Sequence, residues 1–382
     1  MLAVMASDAP LPSAPFDPCV RDNVAGFVRE ISGAVPPPET RIHPADEMYR
    51  FELEAPHRTA ETAAVFYFAI GRSIFRTVSE VAAWRFGGFE KSGSLLDFAC
   101  GYGRATRFLA RALAPSRITA AEIDPGAVRF QEETFGVRGC LSDSRPEALE
   151  LSGPFGVVLA VSLFSHLPPA TFEAWLSRLY GLVSGGGILV FSTNGPPRLP
   201  EGRVIPESGI LFAEESETAR LALSEYGSTW VTEAFVRSAA ERASHGEAMI
   251  SVHPLGLCGF QDLYVMVRPP HAPLPELRLA RDPLGALERA SVEGGIVRVA
   301  GWAAGDRDER PPDVRLHLGS RVEAVSSGEG PSGARREWRF EFPAAAVSAD
   351  ALVRVEAESA RGATRLLVAE TLRPYLGSVL NS

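Results

Sequence analysis

Residues 94–106 read S-L-L-D-F-A-C-G-Y-G-R-A-T, and no other stretch limits the fold as tightly. A short apolar run, Leu95-Leu96, ends in the acid Asp97. A turn of small residues follows through Ala99, Cys100, Gly101 and Gly103, and the spacing of Arg104, Phe108, Leu109 and Leu113 then predicts a helix. Strand, glycine turn and helix in that order put the turn at the carboxyl end of a strand, where open α/β sheets bind ligands. Glycines let backbone N–H groups approach a ligand closely, and the helix N-terminus favours an anionic group.

The rest of the chain extends this reading. From Ala60 to about Phe86 apolar residues recur at helical steps, and Gly87-Gly88 stops them. After the glycine turn come a helix over 105–113, a strand over Arg117–Ile123, a helix over Gly126–Thr134 and a short strand over Val137–Leu141. A buried strand over Phe155–Val161, an amphipathic helix over Thr171–Leu182 and a strand over Ile188–Ser192 follow, and Gln261–Val267 closes the sheet. The alternation predicts an α/β fold with a mostly parallel sheet and helices on both faces. Between Asn194 and Gly259 the order is looser, with helices expected over Glu214–Leu223 and Thr232–Ser244.

At 382 residues, a second domain is expected. The expected layout is a loosely ordered arm over 1–40 with one short helix near Asn23–Ile31, an α/β domain over 41–268, a Pro-rich linker over 269–283 and a β module over 284–382. Five prolines between Arg268 and Pro283 mark the linker. Beyond it, short alternating runs at Ile296–Trp302, Val314–Leu318, Trp338–Phe342, Leu352–Glu356 and Arg365–Val368 predict a small antiparallel β-sandwich without helices. A net charge of −9 argues against a nucleic-acid backbone as partner. No apolar run reaches the length of a membrane span, and the start lacks the basic segment and apolar core of a signal peptide. Cys19, Cys100, Cys140 and Cys258 have no paired spacing, so neither a disulfide framework nor structural zinc is expected, and a cytoplasmic location is the default.

Asp124 lies 21 residues after Gly103, at the end of the second strand. A carboxylate there can accept both hydroxyls of a ribose, or it can cap the next helix ahead of Pro125. Asp143 ends the third strand and can accept an adenine amino group or serve as a turn acid, with Ser142 offering backbone contacts. His166 follows the fourth strand. It can act as a base for a hydroxyl acceptor or hold a structural hydrogen bond. Asn194, Tyr226, Thr229 and Trp230 are candidates for an acceptor pocket, as are His253, Gln261 and Asp262. No H-x-x-x-H or clustered Asp/His spacing points to a metal, while a single magnesium held by scattered carboxylates stays open.

D-F-A-C-G-Y-G-R, E-I-D-P, V-S-L-F-S-H-L and G-G-G-I-L-V-F-S-T occur in this order over about 95–193. The set resembles the class I S-adenosylmethionine (SAM)-dependent methyltransferases, whose first motif has the form D-x-x-x-G-x-G. The resemblance implies a Rossmann-like seven-stranded sheet with SAM across the carboxyl ends of its first strands. By position, Asp97, Ala99, Gly101 and Gly103 would surround the methionine moiety, Asp124 would take the ribose and Asp143 the adenine. Val161 and Ser162 would line the site near the methyl group. Two positions depart from the family pattern: Ala99 replaces its first glycine, and Gly156 stands where an acid is common. Tyr67 and Gly71 match a Y-x-x-x-G of related enzymes, in which Tyr67 or Arg72 would bind the methionine carboxylate. The C-terminal run V-R-V-A-G-W-A resembles β modules appended to bacterial glycan-modifying enzymes; Trp302 and Trp338 are either sugar platforms or core.

The expected activity is therefore methyl transfer from SAM, yielding S-adenosylhomocysteine (SAH), to oxygen on a small polar or glycan-type acceptor. Association with further copies of the chain stays open. A nicotinamide-dependent oxidoreductase shares the G-x-G and Asp124, but it would want Gly or Ala where Thr106 stands and has no need of Asp97. A non-catalytic SAM-binding scaffold, with the β module as its working part, is the third reading.

Overall fold

The computed structural model of the chain describes residues 12–33, 36–55, 58–215, 221–306, 309–326, 335–346, 348 and 350–371. It divides into two compact units, Ile74–Leu279 and Met1–Ser73 with Ala280–Ser382. Among the described residues the first α-helices are α1 (Asp22–Ser32), on the helical pattern expected inside the N-terminal arm, and α2 (Glu47–Glu54). Asp46 starts α2 by accepting the Met48 and Tyr49 N–H groups on Oδ1. The long helix α3 (Ala60–Phe86) ends at Gly87 and Gly88, whose φ values of +80° and +138° a side chain would resist.

The unit Ile74–Leu279 is built on β1 (Leu95–Phe98), α4 (Thr106–Ala112), β2 (Ile118–Glu122), α5 (Pro125–Phe135), β3 (Arg138–Leu141), β4 (Phe155–Ala160), α6 (Pro169–Gly181) and β5 (Val183–Thr193). It continues through β6 (Ile210–Ala213), β7 (Ser228–Val231), α7 (Glu233–Ala243), β8 (Met249–Leu257) and β9 (Gln261–Val267). The seven-stranded sheet has the order β3-β2-β1-β4-β5-β9-β8. Its first five strands are parallel, while β9 runs antiparallel to β5 and to β8. From β1 the chain proceeds outward to β2 and β3, then returns to the other side of β1 with β4. That reversal opens a crevice at the carboxyl ends of β1 and β4.

Right-handed crossovers then require α6 to lie on the opposite face from α4 and α5. One face carries Leu96, Phe98, Val158, Ala160, Leu189 and Phe191 into a core with Phe172, Trp175, Leu176 and Leu179 of α6 and Val236 and Ala240 of α7. Trp175 meets Phe98 at 4.9 Å between ring centroids. The alternate residues Leu95, Val157, Leu159, Ile188 and Val190 are just as fully buried. Such doubly covered strands gain about 1.5–3 kcal/mol per large apolar side chain, so the sheet is a rigid platform for its loops.

Three strands of this unit go beyond the sequence expectation. β8 is interrupted by Pro254 and Gly256, and its pairing with β9 shifts register between His253 and Leu257, so the sequence shows no clean alternation there. β6 and β7 form a separate two-stranded sheet of four residues each, too short to stand out. Of the helix expected over Glu214–Leu223, residues 216–220 lie outside the described residues, and the flanks on either side are not helical.

After residue 283 come β10 (Leu284–Glu293), β11 (Ile296–Ala304), β12 (Asp313–Leu318), β13 (Arg321–Ser326), β14 (Arg335–Pro343), β15 (Leu352–Glu358) and β16 (Thr364–Thr371). They form two antiparallel sheets, β10-β11-β14 and β13-β12-β15-β16, whose inward residues share one core. The charge-rich β10 and β13 are the two strands that alternation alone does not mark. Trp338 is buried in that core, whereas Trp302 alternates outward beneath the Arg335 guanidinium at 4.6 Å. Arg354 of β15 is buried in the same unit, donating to Glu30 of α1 at 2.5 Å, to Glu356 at 2.7 Å and to His317 Nδ1 at 3.2 Å. Glu30, His317 and Glu356 are close enough together to ligate an ion, but the guanidinium already supplies the positive charge among them. Among the described residues no helix is long and apolar enough to cross a membrane.

Candidate functional site

The glycine turn lies at the switch point of the sheet. Ala99, Gly101 and Gly103 have φ values of +55°, +54° and +84°, so the chain passes through the left-handed region three times in five residues. Ala99 does this with a Cβ, at a cost of about 1–2 kcal/mol. Gly103 has no such latitude: a Cβ there would lie 2.3 Å from Cε2 of Phe135. Gly101 faces open space, with no atom within 4 Å of the Cβ it lacks. The turn is held from beneath. Gln131 of α5 donates to the Gly101 carbonyl at 3.0 Å and to Cys100 Sγ at 3.2 Å, and Arg107 Nε donates to the Gly103 carbonyl at 3.1 Å.

Two carboxyl groups face this turn. Asp97 is 3% exposed; Thr106 donates to its Oδ2 at 2.7 Å, and Oδ1 has no hydrogen-bond partner among the described residues. Burial pushes the Asp97 carboxyl up to about 7, with the Thr106 bond opposing and the nearby Glu122 charge adding to the rise. Glu122 ends β2. Its Oε2 accepts the Gly101 N–H across the crevice at 2.8 Å, and its Oε1 accepts the Ile123 N–H at 2.7 Å. Burial raises the Glu122 carboxyl as well, and the N–H bonds that it accepts oppose the shift.

Asp124, the sequence candidate for a ribose, is placed as a helix cap. Its Oδ1 accepts the Gly126 N–H at 2.8 Å and its Oδ2 the Tyr102 hydroxyl at 2.7 Å. Glu122, two residues earlier, is not among the sequence candidates. The signal for it is the end of the strand itself: Ile118–Glu122 is the paired segment, and Ile123-Asp124 already belongs to the turn. Ser142 donates its N–H to the Glu122 carbonyl at 2.9 Å, which brings the third strand's end alongside. Asp143 accepts the Arg145 N–H at 2.9 Å, and that bond lowers its carboxyl below the usual range.

On the other side of the switch point, Val161 and Ser162 leave β4. Ser162 has φ +62° and donates its N–H to Ser192 Oγ at 2.9 Å. His166 lies on the next turn, partly buried and stacked on Tyr226 at 4.5 Å and 13°. Its Nδ1 is 2.7 Å from the Gly227 carbonyl oxygen. A carbonyl can only accept, so Nδ1 carries the proton and Nε2 the lone pair. Nε2 makes no hydrogen bond among the described residues. Burial lowers the basicity of the ring, with the Gly227 bond opposing.

The E-Y-G-S-T-W segment reaches this point by pairing with both strand ends. The Gly227 and Thr229 N–H groups donate to the His166 and Ser165 carbonyls, and Asn194 forms a bridge with Trp230. Asn194 and Gln261 face each other at 3.4 Å. His166, Tyr226, Asn194 and Gln261 are therefore tied into one wall. Trp230 is 7% exposed, with Nε1 donating to the Arg198 carbonyl; His253 bonds Ser251; Asp262 accepts the Leu255 N–H. Thr229 Oγ1 donates to the Leu167 carbonyl. These four hold loops together. Tyr67 and Arg72 belong to the unit that contains the C-terminal sheets; Tyr67 is buried and donates to Asp46 Oδ2 at 2.6 Å, and Arg72 Nε donates to the Ile31 carbonyl at 2.8 Å. Gly156 explains one departure from the motif pattern, since a Cβ there would lie 1.5 Å from the Ser92 carbonyl oxygen.

Residues 96–189 match a family model described as a methyltransferase domain. No curated protein matches the chain. Solved structures similar to it include an S-adenosylmethionine-dependent methyltransferase from Clostridium acetobutylicum, at 13% identity over 52% of this chain and 91% of that one with a TM-score of 0.38. Another is magnesium protoporphyrin IX methyltransferase from Synechocystis with bound SAM, at 17% identity over 52% and 81% with a TM-score of 0.35. A third is an O-methyltransferase family protein from Burkholderia thailandensis, at 17% identity over 55% and 60% with a TM-score of 0.38. The matched segment contains the glycine turn, both carboxyl groups and the end of β4, and by it this part of the chain is similar to methyltransferase domains.

Proposed function

We propose that the protein transfers the methyl group of SAM to a hydroxyl oxygen of a small polar acceptor, with His166 as the base. The observation that carries this reading is the fixed tautomer of His166: Nδ1–H is held by the Gly227 carbonyl and the Nε2 lone pair has no protein partner among the described residues. Burial keeps the ring neutral at pH 7, the form that can take a hydroxyl proton. An acceptor hydroxyl within reach of Nε2 would give up its proton as the oxygen attacks.

The cradle fits the cofactor. Open space above Gly101 admits a ligand against the backbone, the partnerless Oδ1 of Asp97 suits an ammonium group, and Glu122 suits the two ribose hydroxyls. Gly103, Ala99, Ser142, Val161 and Ser162 would line the remainder, Asp143 staying the candidate for the adenine amino group. When bound, SAM supplies a methyl group already activated by a sulfonium leaving group. The chain's part is then to orient the two reactants and to accept one proton. Asn194 and Tyr226 would border the acceptor beside His166. The glycan-type acceptor belongs to the same proposal, supported by the outward-facing Trp302 of the C-terminal unit. The scattered free cysteines accord with a cytoplasmic enzyme.

Calorimetric titration with SAM, SAH and NAD tests the assignment. Wild type and Asp124→Ala should bind SAM and SAH with similar affinity, and Glu122→Ala should weaken both more than about tenfold, as the loss of charged hydrogen bonds implies. Binding of NAD alone would overturn the proposal. A screen of hydroxyl acceptors with labelled SAM, run on wild type and His166→Ala, tests the base.

A further inference from the structure

We propose that Gln261 is a positioning residue for the methyl-transfer site: its buried amide holds the end of β4 in the shape that faces the transferring methyl. This rests on the methyltransferase reading above. Gln261 opens β9, which is separated from β4 by a single strand of the sheet, and it is 4% exposed. Its side chain reaches back across the end of β5. Oε1 accepts the Ser162 hydroxyl at 3.0 Å and the Ser192 hydroxyl at 2.8 Å, while Nε2 donates to Ser165 Oγ at 3.3 Å and to Asn194 Oδ1 at 3.4 Å. All four hydrogen-bonding positions of the amide are used, the full capacity of a glutamine.

The orientation of the amide is dictated by its neighbours. Asn194 Nδ2 donates to the Thr229 carbonyl at 3.3 Å, and that carbonyl can only accept. Asn194 must therefore present Oδ1 to Gln261, and Gln261 must meet it with Nε2. Its oxygen is then left for the two serine hydroxyls.

Everything in this network converges on Ser162. Its N–H goes to Ser192 Oγ, its hydroxyl to Gln261 and its carbonyl accepts Ser165 Oγ at 2.7 Å. Ser162 is also the residue held at φ +62°, a conformation that costs a side-chain-bearing residue about 1–2 kcal/mol. Without the network the backbone would relax toward negative φ, turning Val161 and the loop that carries His166. The sequence already marks Val161 and Ser162 for the methyl side of the site; Gln261 is 99 residues away and acts on that side only through them.

The test reads the difference between two ligands, SAM and SAH, which differ by the methyl group and its charge. Calorimetric affinities for both, together with thermal midpoints, are taken on wild type, Gln261→Leu, Gln261→Glu and the double variant Gln261→Leu/Ser162→Gly. Gln261→Leu should change the SAM-to-SAH affinity ratio by about two- to fivefold, the worth of a weak C–H···O contact at the methyl. Ser162→Gly should restore the ratio in the double variant, because glycine holds a positive φ without assistance. Gln261→Glu keeps the shape and sets an oxygen against Asn194 Oδ1, so it reads the same ratio should the leucine variant not fold. A fall in thermal midpoint with an unchanged ratio in the folded variants would overturn the proposal, leaving Gln261 a structural residue. Wild type that binds neither ligand would overturn the methyltransferase reading and this inference with it; wild-type binding separates the two failures.

Discussion

Replacing Asp97 by Asn should raise the stability of the ligand-free protein relative to wild type as pH rises from 4.5 to 8, and should weaken SAM binding. Asp97 is 3% exposed and its carboxyl titrates near 7, against an ordinary value of 3.8. In the folded state it therefore holds a proton between pH 4 and 7 that the unfolded chain has released. Stability falls with pH wherever the folded state binds more protons, so this group's contribution is complete below pH 4 and is lost as pH rises through 7. Some three units at 1.36 kcal/mol each make the loss about 4 kcal/mol. The amide introduced by Asp97→Asn would not titrate. The stability difference between variant and wild type, from urea denaturation at pH 4.5 to 8, should thus grow by a large part of that amount, whatever constant offset the new amide adds. SAM affinity should move the other way: an ionised Asp97 suits an ammonium group, so wild-type binding should tighten up to pH 7. The variant should bind roughly ten- to a hundredfold more weakly, the worth of a charged hydrogen bond. A stability difference that stays flat with pH would show that Asp97 ionises normally and would refute this reasoning.

Gly103→Ala adds a Cβ 2.3 Å from the Phe135 ring at φ +84°; urea midpoints should register a loss of about 2–4 kcal/mol from overpacking and left-handed strain together. His166 should titrate below the ordinary histidine value because it is buried. An NMR pH series, assigned with His166→Asn, should place its ring titration below that of an ordinary histidine; a titration at or above the ordinary value would remove the case for a neutral base. Arg354→Met leaves Glu30 and Glu356 without their shared cation. Breaking a buried charge network costs about 3–5 kcal/mol, and hydrogen exchange should show α1 (22–32) losing protection before the strands of its unit.

In the proposed site the cofactor half, Glu122 apart, is legible in the sequence because its parts lie at strand ends that announce themselves. Phe155–Ala160 carries no charged residue, Leu95–Phe98 carries only Asp97, and turn residues stand close behind both, so their bounds follow from that contrast. The acceptor half is not legible in the same way. Its wall joins Ser162 and His166 after β4, Asn194 after β5, Tyr226 before β7 and Gln261 at the start of β9. Each of these residues is a candidate from the sequence, yet nothing in the spacing shows that Gln261 bonds two serines from different strands. Such contacts depend on the order of strands in the sheet, and the insertion of antiparallel β9 beside β5 is what brings Gln261 to Ser192. β8, needed to complete that edge, is hidden in the sequence by Pro254 and Gly256.

Glu122 and Asp124 show how narrow the margin of a sequence argument can be. Both acids lie in A-A-E-I-D-P, and a count of residues from Gly103 selects the second. Side chains alternate along a strand, so residues two apart point the same way only while the strand continues. Here β2 ends at Glu122, and Pro125 starts α5 at its first position. That combination makes Asp124 the N-cap, with its side chain turned onto the Gly126 N–H. The carboxylate left facing the glycine turn is the one that accepts the Gly101 N–H, 21 residues away in sequence and 2.8 Å away in space. Two acids at one turn therefore divide the work by geometry: the first points into the crevice where a ribose would lie, and the second fixes the helix that, through Gln131, supports the crevice floor.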